Sequence, residues 1–182
     1  MMFKGERIYL RKVTEEDGAL YSKWVNDLEV MTLTRPHLEP YSEHEAKNFI
    51  RHIANDSSAK SFIIECHQTN NPIGITSLIH LDFPNRNAEC IIDIGEKHYW
   101  SQGYGEEAMC LLLDYAFLEI NLHKVYLKVF SYNERAIRLY NKLGFKVEGE
   151  LQEHLFREGA WHNITMMAVF QDEYNGRIRE MK

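Results

Sequence analysis

The residues best suited to chemistry form a glycine turn, Gly103-Tyr104-Gly105, which joins an apolar strand-like run to an apolar-periodic helix. Two glycines at this spacing allow the backbone to approach a ligand closely. The first N–H groups of the helix have no partner within it and lie at the positive end of its dipole, so a phosphate or pyrophosphate is the expected guest. An ordinary tight turn shows the same pattern. The turn is neither a Walker loop, since no Gly-Lys-Ser/Thr follows, nor a dinucleotide fingerprint, since Ala108 occupies the third glycine position.

Length and composition limit the classes of protein to which the chain can belong. Its 182 residues suit a single domain over residues 1–182, and 45% hydrophobic with 26% charged residues is typical of a soluble globular protein. The net charge of -6 disfavours a nucleic-acid partner, which would require a basic face. Cationic or neutral small molecules are the expected partners.

The cysteines indicate a reducing compartment, and the start of the chain shows no targeting segment. Cys66, Cys90 and Cys110 are odd in number and lack Cys-x-x-Cys spacing, so free thiols are expected rather than disulfides or a zinc site. His80, His98 and His154 are isolated, with no partner at ligand spacing, and no metal site is predicted. No apolar run is long enough for a signal peptide or a membrane span, so the sequence predicts a cytoplasmic protein with no membrane partner.

Hydrophobic periodicity predicts an α/β fold in the order β-α-α-β-β-β-α-β-α-β-β on a mixed, mostly antiparallel central sheet. The predicted strands span residues 7–13, 60–66, 73–81, 88–95, 124–130, 145–152 and 161–170. Two helices follow the capping residues Thr14 and Ser42, a third runs from residue 105 to about 120, and a fourth lies between Asn133 and Gly144. The helical crossover between the fourth and fifth strands implies that these strands are parallel.

Two local expectations follow from the same patterns. Residues 31–41 are expected to be extended or turned, because Pro36 and Pro40 disfavour helix in the residues before them. The helix over residues 105–120 is expected to bury one apolar stripe. The stripe consists of Ala108, Leu111, Leu112, Tyr115 and Leu118.

A second motif follows the glycine turn after a helix and a strand. It reads Asn133-Glu134-Arg135-Ala136-Ile137-Arg138-Leu139-Tyr140-Asn141-Lys142-Leu143-Gly144-Phe145. Together with the glycine turn it resembles the C-terminal signature of the GNAT superfamily of N-acetyltransferases, and the element order is similar over nearly the whole chain. Residues 146–151 and 163–174 are similar to the bacterial spermidine N-acetyltransferases, and the ribosomal-protein N-terminal acetyltransferases are the other near relatives.

The resemblance implies a GNAT fold and an acyltransferase that moves an acetyl group from acetyl-CoA, its co-substrate, to a primary amine. Acetyl-CoA would lie where the strand at 88–95 splays from the strand at 124–130, with its pantetheine on the backbone edge at 92–94 and its pyrophosphate on N–H groups of residues 102–106. The cofactor-binding residues implied are Ile92, Asp93, Ile94, Trp100, Ser101, Gln102, Gly103, Tyr104, Gly105, Glu106, Asn133, Ala136 and Tyr140. Many members carry Arg or Gln where this chain has Trp100, which puts one side-chain contact to phosphate in doubt.

Two residues are expected to carry the chemistry. In the family that the chain resembles, the residue that matches Tyr140 faces the sulfur of the departing CoA. The resemblance therefore implies that Tyr140 acts as general acid, although periodicity alone indicates a packed aromatic. Glu89 lies beside the cleft and is placed to take the proton of the amine directly or through water, although a solvated or ion-paired strand carboxylate fits the pattern equally. Asn133 contacts the cofactor or only caps its helix.

The acceptor amine would bind through residues of the early loop, the second helix and the strands beside the cleft. The expected substrate-binding residues are Glu39, Tyr41, Glu45, His80 and Glu89. The resemblance implies clustered carboxylates for a polyamine enzyme, but Arg35 and His37 interrupt them and His80 stands where an acid is expected. A polyamine such as spermidine or another small amine is the leading acceptor, and a protein N-terminus or an amino sugar is the alternative. A non-catalytic CoA-binding module is the third hypothesis, and a homo-oligomer is left open.

Overall fold

The structure is a computed structural model that describes residues 2–174. Its strands are β1 (Ile8–Lys12), β2 (Lys60–Cys66), β3 (Pro72–Asp82), β4 (Asn87–Ile94), β5 (Lys124–Phe130), β6 (Lys146–Arg157) and β7 (Ala160–Phe170). They form one seven-stranded sheet in the order β1-β2-β3-β4-β5-β7-β6. Neighbouring strands are antiparallel except β4 and β5, which are parallel as the crossover helix indicated. The predicted α/β class with a mixed, mostly antiparallel sheet is confirmed.

The helices cover both faces of the sheet. They are α1 (Gly18–Val25), α2 (Leu28–Thr34), α3 (Glu43–Asn55), α4 (Tyr104–Asp114) and α5 (Glu134–Lys142). Side chains of α1 and α3 form one core cluster with β2 and β3, and side chains of α4 and α5 form another with the central strands. We refer to these as the α1–α3 face and the α4–α5 face. Within residues 2–174 no helix is both long and apolar enough to cross a membrane.

The parallel strands β4 and β5 pair only where they begin. Residues 87–89 oppose residues 124–126, and no further pair forms between these two strands. Beyond that point β4 continues to pair with β3 as far as Ile94, and β5 continues to pair with β7 as far as Phe130. The two strands therefore separate and open a wedge in the sheet, at the place where the family resemblance implied a splay.

The expectation that residues 31–41 are extended is wrong for their first part, because α2 continues to Thr34. Asp27 caps this helix, and its carboxylate accepts hydrogen bonds from two N–H groups of the first turn at 3.0 and 3.3 Å. Arg35 is extended, with φ -119° and ψ 136°, and ends the helix immediately before Pro36. Pro36 therefore ends the helix only at the residue immediately before it. The sequence signal that indicates the helix, and that was not used in the prediction, is the capping residue Asp27.

The helix after the glycine turn extends to Glu119, close to the predicted end, but its last turn is not α-helical. It is α-helical only to Asp114, and Tyr115–Glu119 form a π-helical turn. A π turn takes up one extra residue and rotates the side chains that follow, so Leu118 is 50% exposed rather than buried. The rest of the predicted stripe is buried, except for the half-buried Tyr115.

The last two strands form the predicted hairpin, but β6 is longer than expected. Glu158 and Gly159 make the two-residue turn with φ of 50° and 80°, as in a type I′ turn. β6 continues to Arg157 through an irregularity between Leu151 and Leu155. This extension brings the end of β6 close to the end of α2.

Candidate active site

The wedge between β4 and β5 is a cleft with a volume of about 740 Å³. Its walls come from β4, β5, the glycine turn, α5 and the end of α2. The predicted cofactor-binding residues that line it are Ile92, Asp93, Ile94, Trp100, Ser101, Gly103, Gly105, Glu106, Asn133, Ala136 and Tyr140. Gln102 and Tyr104 do not line it. The Gln102 side-chain amide donates to the carbonyl of His98, and the Tyr104 ring packs against Tyr99 with ring centroids 4.9 Å apart.

Side chains of β4 alternate between the two faces of the sheet at the cleft. Ile92 packs with the apolar clusters of the α4–α5 face. Glu89, Ile91 and Asp93 are out of phase with it and therefore lie on the α1–α3 face. Asp93 is directly opposite Ile75 of β3, which packs against α1. The two carboxylates of β4 thus share one face of the wedge.

The glycine turn places unpaired backbone donors at the cleft. Gly103 is the N-cap of α4 and has φ 85° and ψ 0°, a left-handed conformation that glycine adopts without strain. The first helical hydrogen bond is donated by the N–H of Glu107 to the carbonyl of Gly103 at 3.1 Å. The N–H groups of residues 104–106 consequently have no partner within the helix, and they can bind an anion.

Gly105 has room for a side chain on the protein side. A Cβ built at this position would lie 3.6 Å from Leu139 and 3.8 Å from Ile94, which are ordinary contacts. The fold alone therefore does not require glycine here. Gly105 lines the cleft, and because it has no side chain, a ligand can approach its backbone closely.

Arg7 supports the glycine turn from the side away from the cleft. Its Nη1 donates to the carbonyl of Gln102 at 2.8 Å, and its Nε donates to the carboxylate of Glu107 at 3.0 Å. The guanidinium also lies 4.5 Å from the centroid of the Tyr104 ring. The Tyr104 ring is held between Arg7 and Tyr99, away from the cleft, and the Arg7 contacts fix the start of α4 against β1.

Three basic residues of α5 line the cleft and were not among the predicted site residues, namely Arg135, Arg138 and Lys142. Their spacing of three and then four residues places them on one side of the helix, which was the signal available in the sequence. Arg138 pairs with Glu134 at 3.2 Å, and Lys142 pairs with Glu106 at 2.7 Å. This positive side of α5 stands next to the glycine turn, and both favour an anionic ligand.

Trp100 is held by its ring nitrogen rather than by a phosphate contact. Its Nε1–H donates to the carbonyl of Ile94 at 2.7 Å. The guanidinium of Arg135 lies 3.8 Å from the centroid of the indole ring, a cation–π contact. Trp100 therefore positions a cation at the cleft.

Asn133 caps α5, as the sequence indicated. Its side-chain oxygen accepts a hydrogen bond from the N–H of Ala136 at 3.2 Å, and its amide nitrogen donates to the carbonyl of Leu33 at 3.4 Å. Both Asn133 and Ala136 line the cleft. The capping role is confirmed, and contact with a cofactor stays a prediction.

Tyr140 is a packed aromatic that also lines the cleft. It is 8% exposed, belongs to the core cluster of the α4–α5 face, and packs against Phe145 with centroids 5.7 Å apart. Burial raises the pKa of its phenol, and the nearby Cys90 and Asp93 raise it further. The hydroxyl is therefore protonated throughout the physiological range and is available as a proton donor.

Glu89 lies at the closed end of the wedge, where β4 and β5 still pair. It is 8% exposed, and its Oε2 lies 3.2 Å from Nδ1 of His80 and 3.6 Å from Nζ of Lys128. His80 adopts a positive φ of 51° at an irregularity of β3, and this turns its ring toward Glu89. His80 reaches the site only through this contact. Glu89 is ion-paired with Lys128, and its role as proton acceptor stays a prediction.

The other predicted substrate-binding residues lie outside the lining of the cleft. The carboxylate of Glu45 accepts a hydrogen bond from the N–H of Ser42 at 2.8 Å in the capping box of α3. The hydroxyl of Tyr41 accepts one from Nη1 of Arg35 at 2.7 Å, and Glu39 is exposed. The structure therefore does not gather these acids at the cleft, because the loop before α3 uses its polar groups for capping and for Arg35.

The end of α2 closes the cleft on the α1–α3 side through Leu33, Thr34 and Pro36. Arg157 holds this segment, and its Nη2 donates to the carbonyl of Arg35 at 2.8 Å and to that of Pro36 at 3.4 Å. Arg157 is 6% exposed, so these hydrogen bonds are shielded from water. No sequence signal pointed to this contact, because the partners are more than a hundred residues apart.

Comparisons with known proteins agree with this geometry. The acetyltransferase (GNAT) domain profile matches residues 7–146. The chain is 34% identical over 169 residues to the spermidine N(1)-acetyltransferase of Escherichia coli (strain K12), covering 92% of this chain and 88% of that protein. The structure matches a spermidine N-acetyltransferase from Vibrio cholerae in complex with CoA and spermine, with a TM-score of 0.85, 30% identity, and coverage of 94% of this chain and 99% of that one. A dodecameric structure of the Vibrio cholerae enzyme in an intermediate state matches with a TM-score of 0.80, 30% identity and coverage of 95% and 99%.

Proposed function

Since the chain belongs to the GNAT family of N-acetyltransferases and uses acetyl-CoA as co-substrate, we propose that it acetylates a primary amine of a polyamine such as spermidine. The observation that carries the proposal is the similarity to spermidine N-acetyltransferases over most of the chain. The CoA and spermine named for the matching Vibrio cholerae structure support it. A polyamine also suits the cleft itself, whose carboxylates share one face.

The donor side of the cleft is assigned to acetyl-CoA. The N–H groups of residues 104–106 and the basic side of α5 are suited to its phosphates. The edge of β4 at residues 92–94 has no strand partner on the side of β5, so its backbone groups, apart from the Ile94 carbonyl that Trp100 binds, can pair with the amides of the pantetheine arm. A cleft of about 740 Å³ has the size of typical cofactor sites.

The acceptor side is assigned to the α1–α3 face. Glu89 and Asp93 both line the cleft there, and each can attract an ammonium group. They are four residues apart on an extended strand, roughly 13 Å at about 3.3 Å per residue. An extended polycation can contact both, whereas a compact amine reaches only one.

Acetyl transfer would take place between the two sides of the wedge. The amine attacks the thioester carbonyl from the α1–α3 side, and the C–S bond breaks on the α4–α5 side. The neutral phenol of Tyr140 would donate its proton to the sulfur as the thiolate leaves. The amide product and free CoA result.

The acceptor is tested by measuring CoA release over a panel of spermidine, spermine, N-terminal peptides, amino sugars and aminoglycosides. We expect kcat/KM to be highest for the polyamines, because two carboxylates and a net charge of -6 favour polycations. We expect kcat/KM for spermidine to fall with added salt, since the Debye length shrinks to about 3 Å at 1 M.

Two outcomes of this panel would contradict the proposal. Faster turnover of amino sugars or N-terminal peptides than of spermidine would assign a different acceptor to the same chemistry. Calorimetric binding of acetyl-CoA with no CoA release for any amine would indicate a non-catalytic module. An oligomer of this chain and the absence of a nucleic-acid partner stay predictions, although the dodecameric relative makes the first of them reasonable.

A further inference from the structure

One carboxylate of the cleft is not used by the contacts described so far. Asp93 lines the cleft and is half-buried. Among residues 2–174 its side chain forms no hydrogen bond and no ion pair, and Arg35 carries the one positive charge that acts on it electrostatically. A partly desolvated carboxylate that lines a cleft and has no partner is costly for a fold to keep, so a ligand group is its natural partner.

The groups that face Asp93 leave it available. Tyr21 of α1 and Tyr41 of the loop before α3 both accept hydrogen bonds from the guanidinium of Arg35. Arg35 is therefore engaged by two hydroxyls and stacks on the Tyr41 ring at 4.5 Å. The residue across the sheet is the apolar Ile75. No described cation lies within ion-pair distance of the Asp93 carboxylate.

Asp93 and Tyr140 lie on opposite sides of the wedge. Asp93 is on the α1–α3 face, and the ring of Tyr140 packs on the α4–α5 face. They are nevertheless close enough for the Asp93 charge to raise the pKa of the Tyr140 phenol. Acyl transfer needs this arrangement, with a proton acceptor on the side of the amine and a proton donor on the side of the sulfur.

We propose that the carboxylate of Asp93, rather than that of Glu89, takes the proton of the attacking ammonium. The inference rests on the proposed acetyl transfer. Glu89 shares the α1–α3 face but sits where β4 and β5 are still paired, and it is already held by His80 and Lys128. Asp93 sits where the strands have separated, on the edge assigned to pantetheine, so it is the carboxylate nearer to the thioester.

Each proton that moves in this transfer has a donor and an acceptor. Asp93 takes one proton from the ammonium, and the free amine forms a C–N bond to the thioester carbonyl carbon. The C–S bond breaks, and the phenol proton of Tyr140 passes to sulfur. The extra proton on nitrogen returns to Tyr140 through water, and the nitrogen keeps one proton in the amide. The proton held by Asp93 leaves to solvent, which is the single proton released when an ammonium ion is acetylated.

Burial supports this role by raising the pKa of Asp93 to about 6, an effect that the positive charge of Arg35 opposes. The carboxylate is then ionised at neutral pH and is a stronger base than an ordinary aspartate. Because the ionised form is the active one, kcat/KM is expected to fall about tenfold per pH unit below a pH of about 6.

The test compares Asp93→Asn with Glu89→Gln, using the best acceptor of the panel. For Asp93→Asn we expect kcat to fall roughly 10²–10⁴-fold. The acid limb, which is the fall in rate below a pH of about 6, should also be lost. The rate of this variant should instead keep rising with pH until the amine substrate itself is deprotonated. For Glu89→Gln we expect the acid limb to remain, with the main change in KM for the amine. The dissociation constant of acetyl-CoA should be unchanged in Asp93→Asn.

Several results would overturn the proposal. One is an Asp93→Asn enzyme with near-normal kcat and an intact acid limb, and another is loss of that limb in Glu89→Gln alone. A fall in melting temperature with no change in the limb would assign Asp93 a structural role. If the Asn variant does not fold, the pH profiles of Asp93→Glu and of the wild type test the role instead. A wild-type enzyme without an acid limb near pH 6 would contradict the role of Asp93 as proton acceptor. Failure of the proposed function looks different, because then the wild type acetylates no amine.

Discussion

Replacement of Tyr140 by Phe is expected to lower kcat by roughly 10²–10⁴-fold, the usual contribution of a general acid. The variant keeps the ring that packs in the core of the α4–α5 face and removes only the hydroxyl. Melting temperature and the dissociation constant of acetyl-CoA should therefore stay near wild type. Steady-state kinetics with spermidine, differential scanning fluorimetry and calorimetry measure the three quantities.

Tyr115→Phe is the matched control for this substitution. Tyr115 is half-buried, whereas Tyr140 is buried, and it lies in the π-helical turn after α4 and does not line the cleft. Its variant should turn over at the wild-type rate. A Tyr140→Phe enzyme with near-normal kcat, when chemistry is shown to limit the rate, would leave Tyr140 as a packing residue and assign the acid role to water.

Replacement of Gly105 by Asp is expected to abolish measurable acetyl-CoA binding while the fold survives. A Cβ at this position makes only ordinary contacts, the nearest at 3.6 Å, so the protein side accommodates it. The carboxylate would occupy the space above the N–H groups of residues 104–106 and place a negative charge where a pyrophosphate is expected. Calorimetric titration with acetyl-CoA measures the effect, and circular dichroism checks the fold.

Gly149→Asp is the matched control, because it makes the same chemical change away from the cleft. Gly149 lies in β6 and a Cβ there would meet nothing within 4 Å. This variant should bind acetyl-CoA as the wild type does. Unchanged affinity in Gly105→Asp would show that the glycine turn does not bind the phosphates, and the assignment of the donor side would then be wrong.

The features that sequence analysis predicted well are those determined by local patterns. Strands β2 and β5 were predicted at their observed bounds, and the parallel pair followed from the intervening helix. The glycine turn and the α5 motif are continuous in sequence, so most of the residues implied for the donor side line the cleft.

The features that were missed depend on contacts between distant segments or on small changes in helix geometry. The exposure of Leu118 follows from a π turn that periodicity cannot reveal. Glu45 was assigned to the substrate because of its charge, but its carboxylate accepts a hydrogen bond from the N–H of Ser42 in the capping box of α3. Asp93 was predicted only for its place on the cofactor-binding edge, because its lack of a partner becomes visible only in three dimensions.

The central claim is that acetyl-CoA and a polyamine meet in one cleft, with the thioester and the amine in the wedge between β4 and β5. Calorimetric titration with a bisubstrate analogue, in which spermidine is joined to CoA through an acetyl spacer, tests it most directly. Because the second contact becomes intramolecular, the analogue should bind roughly 10²-fold or more tightly than CoA alone, one per chain, and Gly105→Asp should weaken it. An analogue that binds no more tightly than CoA would contradict the claim.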